Sequence, residues 1–207
     1  MHASISIPDE YAQWMLAFQA GDLTRFQLLV ERNRDAVVRY LFRCVSDHAV
    51  AEELAQEVFL RVYLSHDYRP TAKFRTWLFH IATNLALNWQ RDHRAETGKV
   101  SLDAHPSHAA RRELRAPRRS VEEELVEECR LEEVRAAIRE LPERNRAAVL
   151  MHKYEEMEYA EIAEALHCSV SATKSLLFRS YEHLRARLAH LDIADRSLAG
   201  VRHRSWA

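Results

Sequence analysis

Residues 159–188, YAEIAEALHCSVSATKSLLFRSYEHLRARL, decide the reading of the fold. A first short apolar period, Ile162, Ala163 and Leu166, points one helix face inward, and Ala163 is small where a second helix must cross closely. His167-Cys168-Ser169 breaks the period as a turn, and Ser169 or Ser171 can cap the next helix. Val170 is placed to plug the gap between the two helices, and Thr173, Leu177, Tyr181 and Leu184 continue the stripe. The other face offers Ser171, Lys174, Ser175, Phe178 and Arg179. Small residue, turn and cap at this spacing describe a helix-turn-helix, whose second helix reads duplex base edges while basic groups meet phosphates. The alternative is an ordinary helical hairpin with a solvated basic face.

Upstream, Phe74–Arg91 reads FRTWLFHIATNLALNWQR. Trp77, Leu78, Ile81, Leu85 and Leu87 give an apolar stripe, while Asn84 and Asn88 sit one turn apart with Thr76 and His80 above them. Lys73 and Arg75 stand at one end, Arg91 and Arg94 at the other. An aromatic and amide face with cationic ends suits unstacked bases along a phosphate backbone. Plain core packing is the competing account of Trp77, Phe79 and Trp89, and a solvated amide that of Asn84.

The helix before it, VAEELAQEVFLRVYLS, turns Leu54, Val58 and Val62 inward with Phe59 beside them. Glu52, Glu53, Gln56, Glu57 and Leu60 fall on the other side, a strip that fits a basic helical partner. Taken alone, such a charged face is more often simply solvated.

The rest of the chain agrees with an all-α protein. Of 207 residues only 3 are Gly and 5 Pro, 47% are hydrophobic, and no strand pattern persists. Pro8-Asp9-Glu10 opens a first helix that Gly21 stops; Asp22 caps a second, with Phe26, Leu29, Val30, Val37, Leu41 and Val45 on its apolar face; Ser46-Asp47 breaks to the third. These helices and the Phe74 helix make one domain over residues 8–95. Residues 96–119, with Gly98, Pro106, Pro117 and the run ARRELRAPRR, form a flexible linker. A capping box at Ser120 and Glu123 starts a second domain, residues 120–190, and 191–207 form a tail.

Charge is segregated. Net charge is −1, which excludes a general polyanion binder. Residues 67–99 nevertheless carry 6 basic against 3 acidic groups, and residues 120–133 carry 1 against 7. The 3 cysteines are far apart and unmatched to a disulfide framework. No apolar window is long enough to span a membrane, and MHASISIPDEY is not a signal peptide, so the compartment is expected to be the cytoplasm. Nothing signals a nucleophile, phosphate loop, metal or cofactor: His105 and His108 lie in the linker without a third ligand, and Cys168 is explained by packing.

In this order the segments resemble the extracytoplasmic-function (ECF) group of bacterial RNA polymerase sigma factors. AGDLTRFQLLVERN looks like the family's start, EELAQEVFLRVY like its polymerase-binding helix, FRTWLFHIATNLALNWQR like its promoter-melting segment, and LPERNRAAVLMHKYEEMEYAEIAEALHCSVSATKSLLFRSYEHLR like its upstream-element reader. The resemblance implies two helical domains, sigma regions 2 and 4, and no catalysis. It implies that Glu53, Leu54, Gln56 and Glu57 contact the clamp helices of core RNA polymerase. Lys73, Phe74, Thr76, Trp77, His80, Asn84, Asn88 and Arg91 would bind the minus-ten element of promoter DNA, the loop from Asp67 closing a pocket over one flipped base. Ser171, Thr173, Lys174, Ser175, Phe178 and Arg179 would read the minus-thirty-five element, near the polymerase flap. The linker would thread the polymerase, and an anti-sigma factor is the implied regulator. Leu176 and His80 depart from the pattern, which favours Arg, and Arg or Lys, at those places. The main alternative is a stand-alone helix-turn-helix regulator of duplex DNA.

Overall fold

The computed structural model describes residues 9–97 and 121–191. Helices α1 (Glu10–Gln19), α2 (Leu23–Val45), α3 (His48–Leu64) and α4 (Phe74–Thr97) build the first unit, and α5 (Val121–Glu140), α6 (Glu143–Tyr154), α7 (Tyr159–Ala165) and α8 (Val170–Arg187) the second. A 3-10 turn, Ala189–Leu191, follows α8. The expected linker from Gly98 on, the Ser120–Glu123 capping box and the tail beyond Leu191 lie outside the described residues; α4 itself runs two residues past the expected boundary.

The caps sit where the sequence puts them. Asp22, Asp47 and Ser169 accept from Thr24, Val50 and Ala172 backbone N–H groups at 3.1, 3.0 and 3.1 Å. Gly21, at φ 106°, supplies the left-handed residue between α1 and α2, and Ser46, at φ 62°, does so after α2. Asp9 does more than the sequence suggests. One carboxylate oxygen accepts the Tyr11 N–H at 3.1 Å, and the other accepts the N–H of Phe74, so one side chain holds the starts of α1 and α4 together.

Met15, Leu29, Val37, Leu41, Val58, Leu78 and Phe79 fill the first core, all at most 1% exposed. Tyr40 is fully buried yet satisfied: it bonds Thr83 at 2.7 Å, Thr83 donates onward to the Phe79 carbonyl at 2.6 Å, and the Tyr40 and Phe79 rings meet edge-on at 5.1 Å. The second core comprises Leu150, Met151, Ile162, Leu177 and Leu184 and is continuous with the first.

The helix-turn-helix has the expected inward residues, and Ala163 is closely packed. His167, at φ 49°, takes the left-handed position after α7, and Cys168 N–H bonds the Ala163 carbonyl at 2.9 Å. Val170 does not plug the helix gap: as the first residue of α8 it points outward and is 41% exposed. The fully buried Thr173 fills that place, donating to the Ser169 carbonyl at 3.2 Å with the Cys168 thiol 3.2 Å away.

Arg146 joins the units. It donates to the Cys44 carbonyl at the end of α2 at 2.8 Å and to the carbonyls of Arg139 and Leu141 at the end of α5. Gln90 of α4 donates to the same Cys44 carbonyl at 2.7 Å. Carbonyls unpaired at helix C-termini are thus closed by a guanidinium and an amide.

Asp9→Ala leaves two helix-start N–H groups without their acceptor and should lower stability by about 1–3 kcal/mol, read as a shift of the urea midpoint. His152 gives a pH signature. It stacks on Tyr159 at 5.3 Å and its Nδ1 lies 2.7 Å from the Tyr181 hydroxyl, and burial holds its pKa below the ordinary 6.5. The unfolded chain therefore takes up a proton near pH 6.5 that the folded chain refuses until lower pH. The stability from this site is full above that value and is lost as pH falls through the folded pKa. Chemical denaturation between pH 7.5 and 5.5 should show that decline, and His152→Gln should flatten it.

Candidate polymerase and nucleic-acid interfaces

Three surfaces emerge. The first lies between α2 and α3, where a groove of about 350 Å³ is lined by Phe26, Val30, Arg34, Ala55, Gln56, Phe59, Leu60 and Tyr63. Gln56 and Glu53 are exposed, Glu57 is half-buried and paired with Arg61 at 2.9 Å, and Leu54 is half-buried against the core. Of the expected contacts, Glu53 and Gln56 are therefore open, and Leu54 mainly supports the helix. Leu60 is 50% and Tyr63 43% exposed. Sequence reasoning missed the aromatic floor. Phe26, assigned to core, meets Tyr63 at 5.2 Å and Phe18 at 5.0 Å, with Phe18 to Tyr63 at 5.5 Å. The available signal was Tyr63 one turn beyond Phe59 and Leu60, on the same side as the acidic strip.

The second surface is α4 with the loop before it. Phe74 is fully buried, ringed by Tyr11, Tyr68 and Trp77 at 6.2, 6.1 and 5.8 Å. This corrects its expected DNA contact: an N-terminal helix residue whose ring faces the core props up the loop and cannot meet a base. Trp77 is half-buried and packs on Tyr68 at 4.8 Å, serving core and surface together. Asn84 is half-buried, and Asn88 and Arg91 are exposed further along.

Lys73, Thr76, His80 and Asn84 come together, but on the side facing the second unit. Lys73 pairs with Glu161 at 2.9 Å, and the Thr76 hydroxyl, 2% exposed as a residue, lies 3.5 Å from the same carboxylate. The carboxylate beside Lys73 raises its pKa. Because the Ala165 carbonyl can only accept, His80 donates to it from Nδ1 at 2.8 Å. His80 Nε2 then accepts from the Asn84 amide at 2.9 Å, and the His167 ring nitrogen Nε2 lies 3.1 Å from it. Arg75 pairs with Glu155 at 2.7 Å; that carboxyl is 6% exposed, and burial pushes its pKa up. Arg94 pairs with Glu143 at 2.6 Å.

The third surface is α8. Ser171, Lys174, Ser175, Phe178 and Arg179 share an exposed face, with Phe178 61% exposed. Thr173 does not belong to it. Its burial corrects the expected base contact, because its position is consumed by the turn it packs. Leu176 is half-buried against the core.

The chain matches the Sigma-70 region 2 model over residues 29–96 and the Sigma-70 region 4 model over 131–184. It is 28% identical over 179 residues to the RNA polymerase sigma-H factor of Pseudomonas aeruginosa, covering 84% of this chain and 91% of that one. It is 31% identical over 170 residues to the ECF RNA polymerase sigma-E factor of Escherichia coli K12, covering 79% and 86%. Its fold is similar to the sigma factor RpoE of Bartonella quintana, solved in complex with the anti-sigma factor NepR: TM-score 0.59, 19% identity, 79% of this chain and 96% of that one. The all-α fold, the ordered pair of regions and these relatives make the chain a member of the ECF RNA polymerase sigma factors, a family of initiation factors, not of enzymes, that direct RNA polymerase to promoters.

Proposed function

We propose that the three surfaces divide the work of initiation. The α2–α3 groove, with Gln56 and Leu60 at its rim and Phe26, Phe59 and Tyr63 in its floor, docks the clamp helices of core RNA polymerase together with the exposed Glu53 of α3. The α4 face, Lys73, Thr76, Trp77, His80, Asn84, Asn88 and Arg91, captures the minus-ten strand. The α8 face, Ser171, Lys174, Ser175, Phe178 and Arg179, reads the minus-thirty-five duplex. Residues 8–95 and 120–190 act as the two functional domains, and the protein works in the cytoplasm, with polymerase. An anti-sigma factor fits as regulator, as in the Bartonella complex.

The observation that carries this reading is the coexistence of the open apolar groove beside Gln56 and the separate amide and cationic face of α4. A duplex-only regulator needs neither. The energetics are also sufficient. Unstacking costs a few kcal/mol per base, stacking on an aromatic ring returns ~1–3 kcal/mol, and polymerase docking supplies the rest without hydrolysis.

Permanganate footprinting tests it. The chain with core polymerase should expose unpaired thymines at cognate promoters, and the chain alone should not. Gln56→Ala should weaken polymerase binding, whereas Asn84→Ala should preserve binding and reduce melting. Tight duplex binding without melting on any genomic promoter would return the stand-alone regulator. For the third surface, Lys174→Ala should weaken minus-thirty-five binding and lower the slope of log affinity against log salt by about one, measured by titration of the duplex with the holoenzyme.

A further inference from the structure

We propose that His80 of α4 and His167 of the turn after α7, with Asn84 beside them, form a site for a divalent metal ion of the Zn²⁺ class. The two histidines are 87 positions apart in sequence, yet their Nε2 atoms lie 3.1 Å apart. Their ring centroids are 4.3 Å apart and the planes cross at 79°, so the nitrogen corners are turned toward each other. The Asn84 amide is 2.9 Å from the same His80 Nε2. Two donors held ~2.0–2.1 Å from one zinc ion stand about 2.9–3.4 Å apart when the angle at the metal is about 90–110°. Both separations already match an edge of such a coordination sphere. Hydrogen bonding alone does not satisfy the cluster. His80 Nδ1 donates to the Ala165 carbonyl at 2.8 Å, which leaves Nε2 a single lone pair in the ring plane. If His167 Nε2 carries its proton, it and the Asn84 amide crowd that one lone pair. If His167 Nε2 is bare, two lone pairs face each other. A cation between the rings resolves the second case.

The surroundings suit a metal. The His80 bond to the Ala165 carbonyl is the outer contact that fixes a ligating imidazole in the right tautomer and orientation. Half a turn of the Asn84 amide presents its carbonyl oxygen in place of its NH2 group, a third donor. His167 holds a left-handed backbone position, φ 49°, where glycine or asparagine is the ordinary choice, and its exposure gives an ion a path from solvent. The neighbouring Cys168 thiol is engaged by the Thr173 hydroxyl at 3.2 Å. Among the described residues no third His, Cys, Asp or Glu completes the group, so water fills the remaining positions. Two imidazoles and an amide oxygen, without thiolate, select Zn²⁺, Ni²⁺ or Cu²⁺ over Mg²⁺ and Ca²⁺, which require mostly oxygen ligands. A bound ion ties α4 to the turn of the helix-turn-helix, and the stability of the folded chain then rises with free metal. The site stands whether or not α4 holds a strand.

The chain has 12 histidines, so the test must read individual residues. ZnCl2 is titrated into the full, chelator-treated, 15N-labelled chain. In long-range 1H–15N spectra the Nε2 signals of His80 and His167 should move together to metal-bound positions, ahead of those of the exposed His48 and His183. By calorimetry, His167→Gln should weaken the tightest zinc binding by about tenfold or more, and Asn84→Ala should weaken it less. His167 is exposed, so its replacement leaves the fold intact, which far-ultraviolet circular dichroism checks. Zinc should raise the melting temperature of the wild-type chain more than that of His167→Gln, and excess Mg²⁺ should not displace it. Zinc binding that His167→Gln leaves unchanged, with the His80 and His167 signals unmoved, would place the ion elsewhere and overturn the site. Absence of any zinc binding by the wild-type chain would overturn it equally.

Discussion

Everything in this fold turns on α4 having to be two things at once. Its inner side, Leu78, Phe79, Ala82, Leu85 and Ala86, is at most 6% exposed and closes the first core. Its outer side carries amides, a histidine and flanking cations that have no role in that core. A helix with a binding face left open would place Thr76 and His80 in water, which costs little. The chain instead covers that face with α7 and the turn after α6, and the covering groups are acceptors: two carboxylates and a carbonyl. Their chemistry follows from what α4 offers, since donors and cations can be covered only by acceptors and anions without leaving charge unpaired.

The burial of Glu155 shows how far this goes. Its carboxyl sits almost out of water, where an anion is disfavoured, and Arg75, Arg43 and Arg39 each offset part of that penalty. Arg75 also lies 5.4 Å above the Phe79 ring, and Arg43 is 4.1 Å above the ring of Tyr154. The guanidinium groups are thus held by ring faces as well as by charge.

Helix ends were legible because caps are local. Asp22, Asp47, Ser169 and the Gly21 stop need only a few residues of sequence to be read, and each sits where its chemistry demands. What escaped was anything decided by a second element. The Asp9 bond to Phe74 links residues far apart in sequence, and no period announces it. Phe26 reads as core by spacing, and only the approach of α3 makes it the floor of a groove. Thr173 takes the place expected of Val170 because the start of α8 sets which residue of its first turn faces the gap; three residues apart, the two point about 60° away from each other around the axis. Phe74 was misplaced for a related reason: an aromatic beside a basic loop looks like a stacking platform until the ring is seen among Tyr11, Tyr68 and Trp77.

The joint at Cys44 separates two ways the units can part. Arg146 and Gln90 converge on one carbonyl at the end of α2, and Arg146 also closes the end of α5. Moving the second unit away from α4 strands that carbonyl with Gln90 alone, which still satisfies it. The Arg146 guanidinium keeps its bonds to Arg139 and Leu141. Neither side is left with an orphaned backbone group, and the cost of parting the units lies in the nearly buried Arg75–Glu155 pair, the Arg43–Tyr154 contact and the continuous core between them. Opening by unfolding α7 would instead break its cap at Glu158 and Glu161 and expose Ile162 and Leu166, which are core. Separation with each helical unit intact thus keeps both helix ends satisfied, whereas unfolding α7 does not.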